Sequence, residues 1–217
     1  MRIAVVGATG PTGQEVVTQG LARGHEIVAY VRRPEALGTA ANLKVIGGQL
    51  ADTEKFATAI SGCDVLICTL GTRSFKERNF MSQHIPMVSS ALKKAGLNRM
   101  VLMGALGGGE VPANAFWFSK KIFKFMSNYI FGDRTVCEND LDKTGIKWAA
   151  VYPAFLTNGP KLSNPDVVEM NVLKDVWGMQ ISRATVASVL LDLAEDETRP
   201  NRKVAVTAPG KIKYARS

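Results

Sequence analysis

Three glycines at positions 7, 10 and 13 stand between an apolar run and a helical pattern in MRIAVVGATGPTGQEVV. In this spacing the first glycine allows a tight turn off a strand, the second lets the backbone approach a pyrophosphate, and the third lets the helix pack closely. Backbone N–H groups at the helix N-terminus then bind the anion, with threonine hydroxyls as further donors. A strand-to-helix turn without a ligand is the alternative. The residues predicted to hold the pyrophosphate are Gly7, Thr9, Gly10, Pro11, Thr12 and Gly13.

An arginine pair ends the second strand pattern, in VRRPEAL. About 19 residues after the third glycine, an NAD-specific site carries an acidic residue for the ribose 2′-hydroxyl. Arg32 and Arg33 stand there instead, and guanidinium groups suit a 2′-phosphate. The pair therefore predicts NADP(H) as the cofactor; an arginine that merely ends the strand in solvent is the alternative.

Short β-branched runs alternate with helical patterns along the whole chain. Strands are predicted at RIAVVG, EIVAYV, KVIGG, DVLICTL, RMVLMG, KWAAVYP and KVAVTA, and helices at about 12–23, 52–61 and 80–95 and from about Ser182. Strands that are apolar throughout are typical of parallel sheets covered by helices on both faces. We therefore expect an α/β fold, a Rossmann-like, doubly wound, mainly parallel sheet, in a single NAD(P)-binding domain over residues 1–217.

Three residues mark the predicted helices. Asp52 and Ser182 are suitable N-caps for the helices that follow them. Pro86 lies inside an otherwise helical apolar run and predicts a kink or a restart of that helix.

Composition narrows the class of protein. The chain has 217 residues, 46% hydrophobic and 21% charged, which is ordinary for a globular protein. Its net charge of +8 is spread along the chain, so no nucleic-acid partner is expected. Three cysteines without a CxxC pair predict a reducing compartment and no metal site. No run approaches the roughly 20 apolar residues of a membrane span, and no signal peptide is visible, so we expect a soluble cytoplasmic protein.

The glycine spacing, the arginine pair and the stretches CTLGTRS and ENDLDKTGIKWAAVYPAFLTNGP together resemble the atypical short-chain dehydrogenases/reductases. Within them, the likeness is to NAD(P)H-binding proteins similar to biliverdin IXβ reductase, or flavin reductase, and to NmrA-like regulatory proteins. It covers nearly the whole chain and implies cofactor contacts at strand carboxyl ends, near the adenine, the pyrophosphate or the nicotinamide. The residues so implied are Gln49, Leu50, Leu70, Gly71, Thr72, Arg73, Gly104, Pro153, Ala154 and Phe155.

The proton donors of similar dehydrogenases are not visible. Such enzymes commonly carry a serine after the fifth strand and a YxxxK pair soon after it. Gly104 stands at the serine position and Phe116 at the tyrosine position, so only Lys120 is retained. By the biliverdin reductase likeness, Phe155 occupies a place where a histidine would be expected.

Three interpretations follow from these replacements. The protein is an NADPH-dependent oxidoreductase whose flavin, quinone or other conjugated small-molecule acceptor needs little help from a protein acid. Alternatively it is a non-catalytic NADP(H)-binding regulator that senses redox state, or catalysis uses Tyr152, Ser119 or Lys120. Without a catalytic role, Tyr152 is expected to be a buried strand residue, and His84 is expected to be a residue on a helix surface.

The segment 114–131 combines seven aromatic residues with three lysines. Three roles fit this composition: a lid or cover on the substrate side of the sheet, a subunit interface in a homo-oligomer, or contact with an anionic membrane surface.

Overall fold

The fold is centred on a twisted eight-stranded sheet. A computed structural model describes residues 1–71, 79–106, 132–176 and 180–214. In spatial order the strands are β3 (Leu43–Gly47), β2 (Glu26–Val31), β1 (Arg2–Val6), β4 (Val65–Cys68), β5 (Arg99–Met103), β6 (Lys147–Pro153), β11 (Lys203–Thr207) and β8 (Asp166–Glu169). All neighbours are parallel except β8, which runs antiparallel to β11. The predicted α/β, Rossmann-like architecture is confirmed.

Helices cover both faces of this sheet. They are α1 (Pro11–Ala22), α2 (Thr53–Ile60), α3 (Phe80–Lys94), α4 (Gly132–Asp142) and α5 (Arg183–Glu195), with single 3₁₀ turns at Pro34–Ala36 and Met170–Val172. Helices α1 and α5 pack against each other on one face, and α3 packs between α2 and α4 on the other. Two apolar cores result, one on each side of the sheet.

Strand β1 shows why the central strands are apolar at every position. Ala4 and Val6 belong to the core under α2, α3 and α4, whereas Ile3 and Val5 belong to the core under α1 and α5. Successive side chains of a strand point to opposite faces, and here both faces are closed to water. A polar residue at any of these four positions would therefore be buried.

The predicted helix starts at Asp52 and Ser182 are confirmed. The Asp52 carboxylate accepts a hydrogen bond from the Lys55 backbone N–H at 3.0 Å, and the Ser182 hydroxyl accepts one from the Thr185 N–H at 3.2 Å. The restart predicted at Pro86 does not occur, because α3 continues through this exposed proline to Lys94. Packing of the buried face of the helix outweighs the lost backbone hydrogen bond.

Two small sheets at the carboxyl half were not predicted. One pairs β7 (Phe155–Thr157) with β10 (Gln180–Ser182) in parallel, and the other pairs β9 (Leu173–Val176) with β12 (Ile212–Tyr214) in antiparallel orientation. None of the helices within the described ranges is long and apolar enough to cross a membrane. The segment 114–131, with Phe116, Ser119 and Lys120, lies outside the described residues.

Candidate functional site

The order of the strands places a crevice at one edge of the sheet. The chain builds β1, β2 and β3 outward in one direction and then returns to place β4 on the other side of β1. In doubly wound sheets, ligands bind at the carboxyl ends of the strands where this reversal occurs. A cavity of about 350 Å³ lies there. Its lining consists of Val6, Gly7, Thr9, Gly10, Tyr30, Val31, Arg32, Gly48, Gln49, Leu50, Ala51, Thr69, Leu70, Gly71, Phe80, His84 and Met87.

Gly7 forms the turn between β1 and the loop, and only glycine fits its place. Its φ is +79°, a conformation that L-residues with a side chain rarely adopt. A Cβ at this position would lie 2.7 Å from Oγ1 of Thr69 and 2.8 Å from the carbonyl carbon of the same residue. Thr69 is itself fixed, because its backbone N–H and its hydroxyl both donate to the carbonyl oxygen of Val6 at 3.0 Å. The backbone of β4 therefore closes one wall of the cavity against the glycine loop.

Gly13 sets how closely α1 approaches the loop. A Cβ there would lie 2.2 Å from the carbonyl oxygen of Gly7 and 2.7 Å from Cα of Ala8. Both contacts are to backbone, which cannot move aside as a flexible side chain can. The first turn of α1 consequently sits directly on the loop that precedes it.

The N-terminus of α1 is free of the groups that usually neutralise it. Its N-cap is Gly10, in an extended conformation with no side-chain hydrogen bond, Pro11 occupies the first turn, and that turn contains no acidic residue. Backbone N–H groups and the positive end of the helix dipole are therefore available to an anion. Thr9 lines the cavity, whereas Thr12, predicted as a further hydroxyl donor, is only 4% exposed and is not part of the lining.

The two arginines after β2 differ in position. Both side chains are exposed, but only Arg32 lines the cavity, whereas Arg33 precedes the 3₁₀ turn at Pro34–Ala36. Across the described ranges, no acidic side chain forms an ion pair with either residue. No aspartate or glutamate of the described chain lines the cavity. Arg32 therefore gives this end of the cavity a positive charge that is not paired with an acidic side chain of the described residues.

Tyr30 supports the loop between β3 and α2. Its ring stacks on Phe56 with centroids 4.6 Å apart, and its hydroxyl donates to the carbonyl oxygen of Gln49 at 3.1 Å. A Cβ on Gly48 would lie 2.0 Å from this hydroxyl oxygen, so the close contact requires glycine. Burial, with a smaller contribution from the charge of Asp52, raises the pKa of Tyr30, so the phenol stays neutral at physiological pH. In the sequence, nothing in EIVAYV distinguishes Tyr30 from an ordinary core tyrosine.

The first turns of α3 form another wall of the cavity. The His84 ring stacks on Phe80 with centroids 4.2 Å apart, and its Nδ1 lies 2.7 Å from the Phe80 carbonyl oxygen. His84 is half-buried and lines the cavity, so its interpretation as a surface residue of the helix was incomplete. Met87, one turn further along, completes this wall.

Eight of the predicted cofactor residues meet at the cavity: Gly7, Thr9, Gly10, Arg32, Gln49, Leu50, Leu70 and Gly71. Eight others do not line it: Pro11, Thr12, Gly13, Arg33, Gly104, Pro153, Ala154 and Phe155. Thr72 and Arg73 lie outside the described residues.

The predicted nicotinamide side continues along the same edge of the sheet, after β5 and β6. The Gly104 N–H donates to the Val151 carbonyl oxygen at 2.8 Å, and the Pro153 carbonyl oxygen accepts from the Leu106 N–H at 2.9 Å. Phe155 follows on β7 with half of its side-chain surface exposed. An exposed phenylalanine offers an apolar face beside the crevice but no proton.

Of the three catalytic candidates, only Tyr152 lies in the described part of the chain, and it does not present an acid at this edge. Tyr152 is 5% exposed and belongs to the core beneath α2, α3 and α4. This agrees with an ordinary buried strand residue and not with a proton donor that faces the substrate. Lys120 and Ser119 lie outside the described residues. Cys63 is also unsuited to chemistry, because burial raises the pKa of its thiol to about 11. No cluster of three metal-ligating side chains occurs in the part of the chain that the structure describes.

Residues 7–197 match the sequence model of a family described as NAD(P)H-binding. The uncharacterized protein YwnB of Bacillus subtilis is 26% identical over 219 residues, which cover 96% of this chain and 99% of that protein.

Two solved structures are similar over nearly the whole length of both chains. A short-chain dehydrogenase/reductase of Veillonella parvula, in complex with NADP, superposes with a TM-score of 0.77 at 20% identity, covering 98% of this chain and 96% of that one. ChuY of Escherichia coli O157:H7, described as an anaerobillin reductase, superposes with a TM-score of 0.77 at 21% identity, covering 97% and 98%. At these identities the likeness establishes the fold.

Proposed function

The chain belongs to the NAD(P)H-binding family, and from that premise we propose that it is an NADPH-dependent oxidoreductase that reduces a flavin, a quinone or another conjugated small acceptor. The described cavity and its charge support the cofactor half of this proposal. The groups around Gly104 and Phe155 support the choice of acceptor.

The cavity residues fit a phosphorylated dinucleotide. The free N-terminus of α1, together with Thr9, would bind the pyrophosphate. Arg32 would bind a 2′-phosphate through charge-assisted hydrogen bonds. An NAD-specific site would instead require an acidic residue near the ribose, and the described lining contains none. The unpaired guanidinium of Arg32 at the cavity is the observation on which the NADPH preference rests.

The acceptor is inferred from what the described residues of the site lack. When bound, the nicotinamide supplies a hydride, and a flavin or quinone accepts it together with a proton that solvent can provide. A simple carbonyl needs a positioned acid beside its oxygen. Gly104 has no side chain, Tyr152 is buried, and Phe155 offers an apolar surface. The protein's part in the reaction is then to bind both partners, orient them and exclude bulk water between them.

A non-catalytic, NADP(H)-responsive regulator is the second candidate. It is favoured by the same observation, that no described side chain presents an acid at the carboxyl edge of β5 and β6. On this alternative, occupancy of the cavity would alter a partner interaction and no acceptor would be consumed.

Binding and turnover experiments separate the two candidates. Titration of the purified protein with NADPH and NADH comes first, followed by an NADPH-oxidation assay against flavins, quinones and aldehydes. We expect tighter binding of NADPH and turnover of flavins or quinones, with aldehydes reduced slowly. Binding of NADPH without turnover of any acceptor would favour the regulator, and equal binding of the two cofactors would refute the 2′-phosphate assignment.

A further inference from the structure

His84 has a fixed orientation in the wall of the cavity. Its Nδ1 lies 2.7 Å from the carbonyl oxygen of Phe80, and its ring stacks on the Phe80 ring. A carbonyl oxygen can only accept a hydrogen bond, so Nδ1 carries the proton. In the neutral imidazole the other nitrogen, Nε2, then holds a lone pair and is an acceptor.

The surroundings leave that acceptor available. None of the residues in the described ranges forms a hydrogen bond with Nε2 of His84. The neighbouring wall residues Met87 and Leu50 are apolar, and the nearby Gln49 carbonyl oxygen already accepts from the hydroxyl of Tyr30. A ligand in the cavity can therefore supply the missing donor.

The position of α3 brings His84 to the adenine end of the site. Lys94 in the last turn of α3 forms an ion pair with Glu54 in the first turn of α2. At the other end of α3, His84 lines the same cavity as the loop at 49–51 and Arg32. Because one ribose carries both the 2′-phosphate and the base, the base occupies the end of the cavity where Arg32 lies.

We propose that His84 is a specificity-determining residue that selects adenine by accepting a hydrogen bond from its 6-amino group through Nε2. This inference rests on the proposed NADPH site. Adenine presents N–H donors at position 6, whereas a 6-oxo purine presents an oxygen whose lone pairs face the Nε2 lone pair. A buried acceptor facing another acceptor is disfavoured, so the wall discriminates between the two bases.

The test compares NADPH with its hypoxanthine analogue by isothermal titration calorimetry at about pH 8. In the unmodified protein we expect the hypoxanthine cofactor to bind about tenfold more weakly, the loss typical of one hydrogen bond left unmade. His84→Phe keeps an aromatic ring for stacking on Phe80 but removes the acceptor, and should reduce the ratio to about one. Gln83→Ala, at an exposed position of α3 outside the cavity lining, should keep the ratio of the unmodified protein.

The outcomes distinguish a failure of the proposed function from a failure of the role of His84 alone. If neither cofactor binds, the proposed function fails and the role of His84 fails with it. If NADPH binds well but the unmodified protein does not discriminate between the bases, or if His84→Phe discriminates as strongly as the unmodified protein, only the role of His84 is overturned. If His84 had only a structural role, His84→Phe would weaken the binding of both cofactors equally and leave the ratio of their affinities unchanged.

Discussion

The ring of Tyr152 fills the space that a side chain on Gly104 would need, at the carboxyl ends of β5 and β6. A Cβ on Gly104 would lie 2.6 Å from Cδ1 of Tyr152 and 2.8 Å from its Cε1. The serine that similar dehydrogenases carry at this point is therefore excluded by the tyrosine ring, which is packed into the core. The missing hydroxyl at position 104 is a consequence of how β6 is packed.

Gly104→Ser should destabilise the protein without creating a carbonyl reductase. Inserting atoms into a packed core generally lowers the free energy of unfolding by about 1–3 kcal/mol. Chemical denaturation of Gly104→Ser, Tyr152→Leu and the double variant measures the coupling of the two sites. The double variant should lose less stability than the sum of the single variants, because the smaller side chain makes room for the serine. Strict additivity would show that the two side chains do not compete for space.

Arg32 and Arg33 provide a matched pair for the NADPH preference. Arg32→Ala should weaken NADPH binding about 10–100-fold, since charge-assisted hydrogen bonds are worth about 1.5–3 kcal/mol each. NADH binding should change less than about twofold, because NADH lacks the phosphate. Arg33→Ala removes the same charge from a residue outside the cavity lining and should have a smaller effect.

Fluorescence titration of both cofactors at two salt concentrations measures these changes. Arg199→Ala, which removes an exposed arginine paired with Asp196, is the control for net charge. An equal loss of NADPH and NADH binding in Arg32→Ala would contradict a contact with the 2′-phosphate.

Gly13→Ala should damage both the fold and the site. Its Cβ would meet the Gly7 carbonyl oxygen at 2.2 Å, so either α1 or the loop has to move. We expect a loss of about 2–3 kcal/mol in the free energy of unfolding and much weaker NADPH binding in the folded fraction. Gly38→Ala is the matched control, because a Cβ at Gly38 meets no heavy atom within 4 Å. Urea denaturation and cofactor titration of both variants measure the effects; unchanged NADPH binding in Gly13→Ala would refute the close contact.

Glu195 should make stability depend on pH below neutrality. Its carboxylate lies 3.0 Å from Nη1 of Arg23 and 2.7 Å from Nε2 of His25. Burial raises the pKa of Glu195, but the hydrogen bonds from His25 and Arg23 outweigh it, so that the pKa lies below its ordinary value of 4.5. A depressed pKa means that the stabilisation is complete above 4.5 and is lost as the pH falls through the folded-state pKa.

Glu195→Gln measures that contribution. At about pH 7 the variant should be less stable by about 1 kcal/mol, since the pair is partly exposed. The difference from the unmodified protein should disappear on acidification to about pH 3. Glu197→Gln, at a more exposed carboxylate paired with Arg99, should change stability little at any pH. A difference for Glu195→Gln that persists at acid pH would point to packing in place of charge.

The fold and the glycine loop could be predicted because they depend on local patterns. Alternating apolar runs predict a covered parallel sheet, and the short side chains of Asp52 and Ser182 cap helices within three residues. The rest of the cavity depends on distant contacts. Nothing in the local sequence places His84 in the same cavity as Gly7, since that depends on how α3 packs against α2. In the same way, the sequence shows only that Gly104 stands where a serine is expected. The close approach of the Tyr152 ring to Gly104 is visible only in the structure.

The described lining of the cavity comes only from the first half of the chain, between Val6 and Met87. The exposed Phe155 and the small sheets around it come from the second half. Under the proposed function, nucleotide recognition and acceptor choice would therefore be carried by different stretches of one polypeptide. On that proposal, substitutions in the second stretch would change which molecule is reduced while the first keeps its cofactor, so the chemistry could change without rebuilding the part that holds the nucleotide.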